Sequence, residues 1–169
     1  MKTILWATLT ANGNYAQSSP EHPPKPEALT DFVLQAKAAG NFIVGRRTFE
    51  GMQASGGGEL GNLDIVVVSR GAKEIPGVTV ACSPQEALAY LQHKGHLTAL
   101  ISGGADLHNV FLGHRLVDEI IFNIAPVLEG KGLNLLLDKG HYQYKDMELL
   151  DFKSLGGGVI QLHYAVGQE

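Results

Sequence analysis

Cysteine is almost missing from this chain: Cys82 stands alone among 169 residues. An internal disulfide is therefore excluded, and no Cys/His cluster stands at metal-ligand spacing, so the expected setting is a reducing compartment with no metal. Cys82 itself reads as a small buried hydrophobe in a strand. Basic runs are missing too. Seventeen acidic against thirteen basic residues give a net charge of -4, and no window holds the Lys/Arg run that a phosphate backbone requires, which argues against nucleic acid as a partner. Long apolar runs are the third absence. The N-terminal "ILWA" ends at Thr8, too short for the core of a signal peptide, and no stretch approaches the ~18 apolar residues of a membrane span. A cytoplasmic protein with no membrane partner is expected.

What is present is enough for one core. A chain of this length with 44% hydrophobic residues can bury about 70% of its unfolded surface, so a single domain over 1–169 is expected. Residues 3–10 form a buried strand, followed by a loop of about eighteen residues with a turn at Asn12-Gly13 and several prolines. Leu29, Phe32, Val33 and Ala36 recur at helical spacing up to Gly40, predicting a helix over roughly 27–39. "NFIVG" is a strand, and Thr48 is placed to cap a short helix after it, ahead of a loop at Gly56–Gly58. "LDIVVVSR" and "VTVAC" are strands. Ser83, Pro84 and Glu86 spell a capping box at the start of the next helix. "LTALISGG" precedes a helix marked by Leu107, Val110 and Phe111. "VDEIIFNIAPV" is another strand, and two more, joined by three glycines, close the chain. Strands that alternate with helices pair in parallel through right-handed crossovers, and the final two pair antiparallel. Nearly continuous apolar strands need cover on both faces. The expected fold is a three-layer α/β/α arrangement on a mixed, mostly parallel sheet with a C-terminal antiparallel hairpin.

In such a sheet ligands bind beyond the C-terminal ends of the strands. The residues there are Gly45, Arg46, Arg47 and Thr48; Ser69 and Arg70; and Ser102, Gly103, Gly104, Ala105 and Asp106. All three sets suit phosphate. Gly103 and Gly104 bare backbone N–H groups at a helix N-terminus, whose partial positive charge favours an anion. Arg46, Arg47 and Arg70 can neutralise a further phosphate, with Thr48 and Ser69 donating from their hydroxyls. Together they describe a dinucleotide carrying an extra phosphate. No Walker pattern competes: Lys131 lacks the spacing and the following Ser/Thr, and no GxGxxG follows the first strand.

"FIVGRRTFEGM", "VVVSR" and "LISGGADL", in this order, resemble the cofactor-binding segments of the dihydrofolate reductase superfamily. "LVDEIIFNIAPVLEGKGLNLL" is similar to the reductase domain of bacterial riboflavin biosynthesis, and the likeness spans nearly the whole chain. The resemblance implies an NADPH-dependent reductase acting on a small nitrogen heterocycle or its ribosylamino derivative. Arg46, Arg47, Thr48, Ser69 and Arg70 would then meet the adenosine end with its 2'-phosphate, Gly103 to Asp106 the pyrophosphate, and Thr8, Tyr15 and Ala16 the nicotinamide. It also implies a homodimer, with "VDEIIFNIAPV" the candidate contact, since an edge strand that apolar invites association.

The substrate half departs from the family patterns. Riboflavin-type reductases usually show "SLDG" in the first loop, where this chain has "TANG", so Asn12 replaces an acid at a substrate-binding position. The acid on the first helix of true dihydrofolate reductases falls, counting back from Gly45, at Leu29. Glu27 and Asp31 flank that point and share a helix face, which makes them the catalytic candidates. A dihydrofolate reductase proper and a nucleotide-binding protein without chemistry are the alternative readings.

Overall fold

The computed structural model describes residues 1–16, 19–54, 60–71, 74–131 and 142–167. The loop expected at Gly56–Gly58 and the end of the riboflavin-type segment at 132–136 lie outside them. Twelve elements follow in chain order: β1 (Lys2–Thr10), α1 (Pro26–Ala39), β2 (Asn41–Gly45), α2 (Arg46–Ala54), β3 (Asp64–Val68), β4 (Thr79–Ala81), α3 (Pro84–His93), β5 (Thr98–Gly103), α4 (Ala105–Gly113), β6 (Glu119–Ala125), β7 (Met147–Gly156) and β8 (Val159–Val166). The strands make one sheet in the order β4-β3-β2-β5-β1-β6-β8-β7. From β4 to β6 every pairing is parallel, while β8 runs antiparallel to both β6 and β7.

Period-2 alternation splits the core between the two faces. Trp6, Phe42, Val44, Val67 and Leu100 point to the side where α1 and α2 contribute Phe32, Ala36 and Phe49. Leu5, Ala7, Ile43, Val66, Ala99 and Ile101 point to the other, against Ala87 and Leu91 of α3 and Leu107 and Phe111 of α4. This is the expected three-layer α/β/α fold. No helix among the described residues is long and apolar enough to cross a membrane.

Four local expectations give way. The helix after β2 begins at Arg46, with no capping residue between strand and helix, so Thr48 sits inside the first turn instead of capping it. Cys82 is exposed, because β4 stops at Ala81 and Cys82 belongs to the turn into α3, where its N–H donates to the Glu86 carboxylate at 2.7 Å. The Ser83 cap itself is present, with Glu86 N–H donating to Ser83 Oγ at 3.1 Å. The strand proposed as an exposed contact, β6, lies inside the sheet between β1 and β8; the edges are β4 and β7. And the sheet outgrows its helices: nearly all of β7 is exposed, so two-sided cover does not reach that edge.

Candidate active site

Three loops meet because three strands are neighbours. β3, β2 and β5 lie side by side and parallel, with Gly45 paired to Val68 and Val44 to Gly103. The residues that follow them therefore leave the sheet at one edge. The contact is close: a Cβ on Gly45 would lie 3.6 Å from the Gly103 carbonyl oxygen, and one on Gly104 would lie 3.1 Å from Thr48 Oγ1. Glycine is needed at 103 as well, where φ is +147° and the space a Cβ would enter is empty to 4 Å. Ser102 Oγ donates to the Ile43 carbonyl at 3.2 Å and ties β5 to β2.

The edge suits an anion. Gly104 is the N-cap of α4 and brings no side chain to satisfy the first N–H groups, in contrast to the capped α3, so those donors are free to meet a ligand in the field of the helix dipole. The Asp106 carboxylate is exposed, and only its backbone faces this task. Around the same edge Arg46, Arg47, Thr48 and Arg70 are exposed and Ser69 is half-buried. Arg46 reaches Glu50 at 3.5 Å in an exposed pair, an interaction worth little in water. Arg47 and Arg70 have no ion-pair partner among the described residues. Bare amides, open space above Gly103 and guanidinium groups one and two strands away fit the pyrophosphate and extra phosphate of a dinucleotide.

The β1 end adjoins this cradle. Leu5 pairs with Ile101, and the same register carried forward sets Thr8 abreast of Gly104. The chain then doubles back: Thr10 N–H donates to the Asn14 carbonyl, Ala16 N–H donates to the Thr8 carbonyl, and Tyr15 bridges to Leu9. Asn12 is engaged in holding this turn. Its Oδ1 accepts from Thr10 Oγ1 at 2.7 Å and its Nδ2 donates to the Glu129 carbonyl at 2.9 Å, which Asn14 Nδ2 also reaches at 3.1 Å. Tyr15 sends its ring the other way, into the core under α4, where its hydroxyl lies 2.6 Å from His108 Nδ1. Burial pushes the Tyr15 hydroxyl well above its usual range. Burial likewise brings His108 down to about 4, against a lesser opposing pull from the Ile101 carbonyl, so at neutral pH the bond joins two uncharged partners.

The two candidate acids have different surroundings. Asp31 is buried against the sheet, and its Oδ2 accepts from the Trp6 indole at 2.8 Å and from Asn123 Nδ2 at 2.9 Å. Asn123 is in turn held by Gln161 at 3.0 Å, and Gln35 reaches the other Asp31 oxygen at 3.4 Å. Glu27, one turn earlier, is half-buried, with no hydrogen bond or ion pair among the described residues. It rests on the β7–β8 turn so closely that a Cβ on Gly157 would collide with its carboxylate. That turn lies at the same end of the sheet as Thr10 and Ala16, because β8 runs antiparallel to β6.

The structure thus gathers Thr8, Tyr15, Ala16, Gly45 to Thr48, Ser69, Arg70, Ser102 to Asp106, Asn12, Glu27 and Asp31 at one end of the sheet. Sequence reasoning missed Trp6, Asn123 and Gln161, which hold Asp31, and His108, which holds Tyr15. The signal for His108 was available: it stands on the apolar stripe of Leu107, Phe111 and Leu112, where a polar ring needs a reason.

Residues 5–161 match the family model of the RibD C-terminal domain. A search of curated proteins found no matching relative. Among solved structures, a chain described as a riboflavin biosynthesis protein from Shewanella sp. PV-4 superposes with a TM-score of 0.79 at 18% identity, covering 99% of this chain and 100% of that one. RibD from Acinetobacter baumannii gives 0.73 at 20% identity, over 98% of this chain and 58% of that one. The diaminohydroxyphosphoribosylaminopyrimidine deaminase/5-amino-6-(5-phosphoribosylamino)uracil reductase of Thermotoga maritima gives 0.68 at 15%, over 98% and 56%. The chain spans little more than half of those last two proteins, and at these identities the likeness is one of fold.

Proposed function

The chain belongs to the RibD C-terminal domain family, and from that premise we propose that it is an NADPH-dependent reductase that passes hydride to the sugar carbon of a ribosylaminopyrimidine. The observation that carries this reading is the single edge formed by the ends of β2, β3 and β5, with uncapped amides at Gly104 and guanidinium groups at Arg46, Arg47 and Arg70. Gly103, Gly104, Ala105 and Asp106 hold the pyrophosphate through their backbone, while the three arginines with Thr48 and Ser69 hold the 2'-phosphate. Thr8, Tyr15 and Ala16 border the nicotinamide. When bound, the reduced nicotinamide supplies the hydride.

The chain's own residues then have two tasks, to align the accepting carbon and to deliver a proton to the atom that gains charge. We assign the proton to Glu27. Its carboxyl is unengaged among the described residues and rests on the β7–β8 turn at the same end of the sheet as the site, whereas Asp31 already accepts from three donors and fixes α1 to the sheet. Asn12 shapes the substrate side by pinning the loop after β1 to Glu129. The expected second copy docks on β7 and β8, where Leu149, Leu150, Phe152 and Ile160 are exposed. A cytoplasmic setting follows from the need for NADPH and suits the exposed thiol of Cys82.

The test is oxidation of NADPH with a panel of pterins and ribosylaminopyrimidines, read by loss of nicotinamide absorbance. Turnover with a phosphoribosylaminouracil is expected. Turnover of dihydrofolate alone would make the protein a dihydrofolate reductase, and binding of NADPH without any turnover would make it a nucleotide-binding protein.

A further inference from the structure

His108 is fully buried on the core face of α4, and its Nε2 makes no hydrogen bond of good geometry among the described residues, the imidazole meeting only a weak pull from the Ile101 carbonyl. An imidazole kept there with one nitrogen unsatisfied lowers stability relative to an apolar side chain of similar shape, so packing alone does not account for it. What it does have is Tyr15, ninety-three positions away in sequence and 2.6 Å away through its hydroxyl. The two rings also pack at a centroid distance of 5.6 Å. Among the described residues, the other hydrogen bonds by which residues 11–15 reach beyond β1 run to Val127 and Glu129, on the substrate side. The Tyr15–His108 bond runs the opposite way, to the helix whose N-terminus is Gly104. His108 is also one turn from that N-terminus, its N–H donating to the Gly104 carbonyl at 3.0 Å.

We propose that Tyr15 and His108 form a positioning pair that locks the loop bordering the nicotinamide to the helix that holds the pyrophosphate, so both ends of the coenzyme are set by one rigid unit. The proposal rests on the coenzyme reading above. It makes His108 a positioning residue, since its ring touches neither coenzyme nor substrate and acts through Tyr15. Breaking the bond leaves the phosphate cradle intact and frees the loop, so the alignment of the hydride-accepting carbon suffers more than coenzyme affinity.

Three proteins test it: Tyr15→Phe, His108→Leu and the two combined. Amide hydrogen exchange over residues 10–16 is measured without coenzyme, and the NADPH dissociation constant, kcat and KM are measured alongside urea unfolding. In all three, loop exchange is expected to speed up about tenfold and kcat to fall about tenfold, with NADPH affinity held within about threefold. The losses in the combined variant should not exceed those of either single one, because both remove the same bond. The combined variant, which leaves neither partner unpaired, should be as stable as the wild type or more so while its kcat stays low, which separates positioning from a merely structural role. Variants that keep wild-type loop exchange and kcat, in a protein that binds NADPH, overturn the pair alone. A wild-type protein that fails to bind NADPH overturns the coenzyme reading and the pair's role with it.

Discussion

At the scale of single residues the two carboxylates of α1 divide their work. Asp31→Ala strips the Trp6 indole and the Asn123 amide of their acceptor, and buried donors left unpaired cost about 3 kcal/mol together; urea unfolding should show that loss. Glu27→Gln should move stability by less than about 0.5 kcal/mol yet lower turnover about a hundredfold, a contrast that steady-state kinetics and unfolding together would expose. The reverse pattern would exchange their roles. His108 predicts a pH dependence. Burial holds its folded value at about 4, below the ordinary 6.5 of an imidazole, so the unfolded chain takes up the proton first as pH falls. Stability is therefore intact above about 6.5 and is lost progressively down to about 4, by about 3 kcal/mol at the limit. Comparing the urea midpoints of wild type and His108→Leu across this range isolates the effect, which should vanish in the variant. Residue types were legible in the sequence where chemistry sets spacing, as with Glu27 and Asp31 one turn apart. Which of them is engaged was not, because the partners of Asp31 come from β1, β6 and, through Asn123, β8.

At the scale of elements, the start of α4 is the feature most exposed to test. Gly104→Ala places a methyl against Thr48 Oγ1 at 3.1 Å and presses the two helix-entry turns apart, so NADPH affinity measured by calorimetry should fall at least about tenfold. Ser83→Ala, which removes the α3 cap, should instead cost about 1 kcal/mol of stability and leave NADPH binding unchanged. Equal effects of the two on binding would separate the coenzyme from α4. The α3 cap was readable from Ser83, Pro84 and Glu86 because the signal is local. The start of α2 was not, since β2 passes into it without a cap and Thr48 faces Gly104 instead of its own helix end. The place of β6 was not either: an apolar run looks the same in the interior as at an edge, and only the return of β8 covers it.

At the scale of the whole molecule, the homodimer proposed above would place its second copy on the edge strand β7. Phe152→Glu, at a side chain 67% exposed, should shift the mass seen by light scattering from dimer to monomer without loss of fold; a wild-type monomer at micromolar concentration would contradict that placement. The layers and the hairpin were legible from alternation and loop lengths. The adjacency of the three phosphate-suited loops was not, because it depends on β5 inserting between β2 and β1, a long-range pairing that no local pattern encodes. That adjacency is the account's central claim, and titration of NADPH and NADH against Trp6 fluorescence tests it most directly. Wild-type protein should show saturable quenching with NADPH, and Arg47→Ala combined with Arg70→Ala should weaken NADPH at least about tenfold while leaving NADH unchanged. Quenching that never saturates, or an equal loss for both coenzymes, would contradict it.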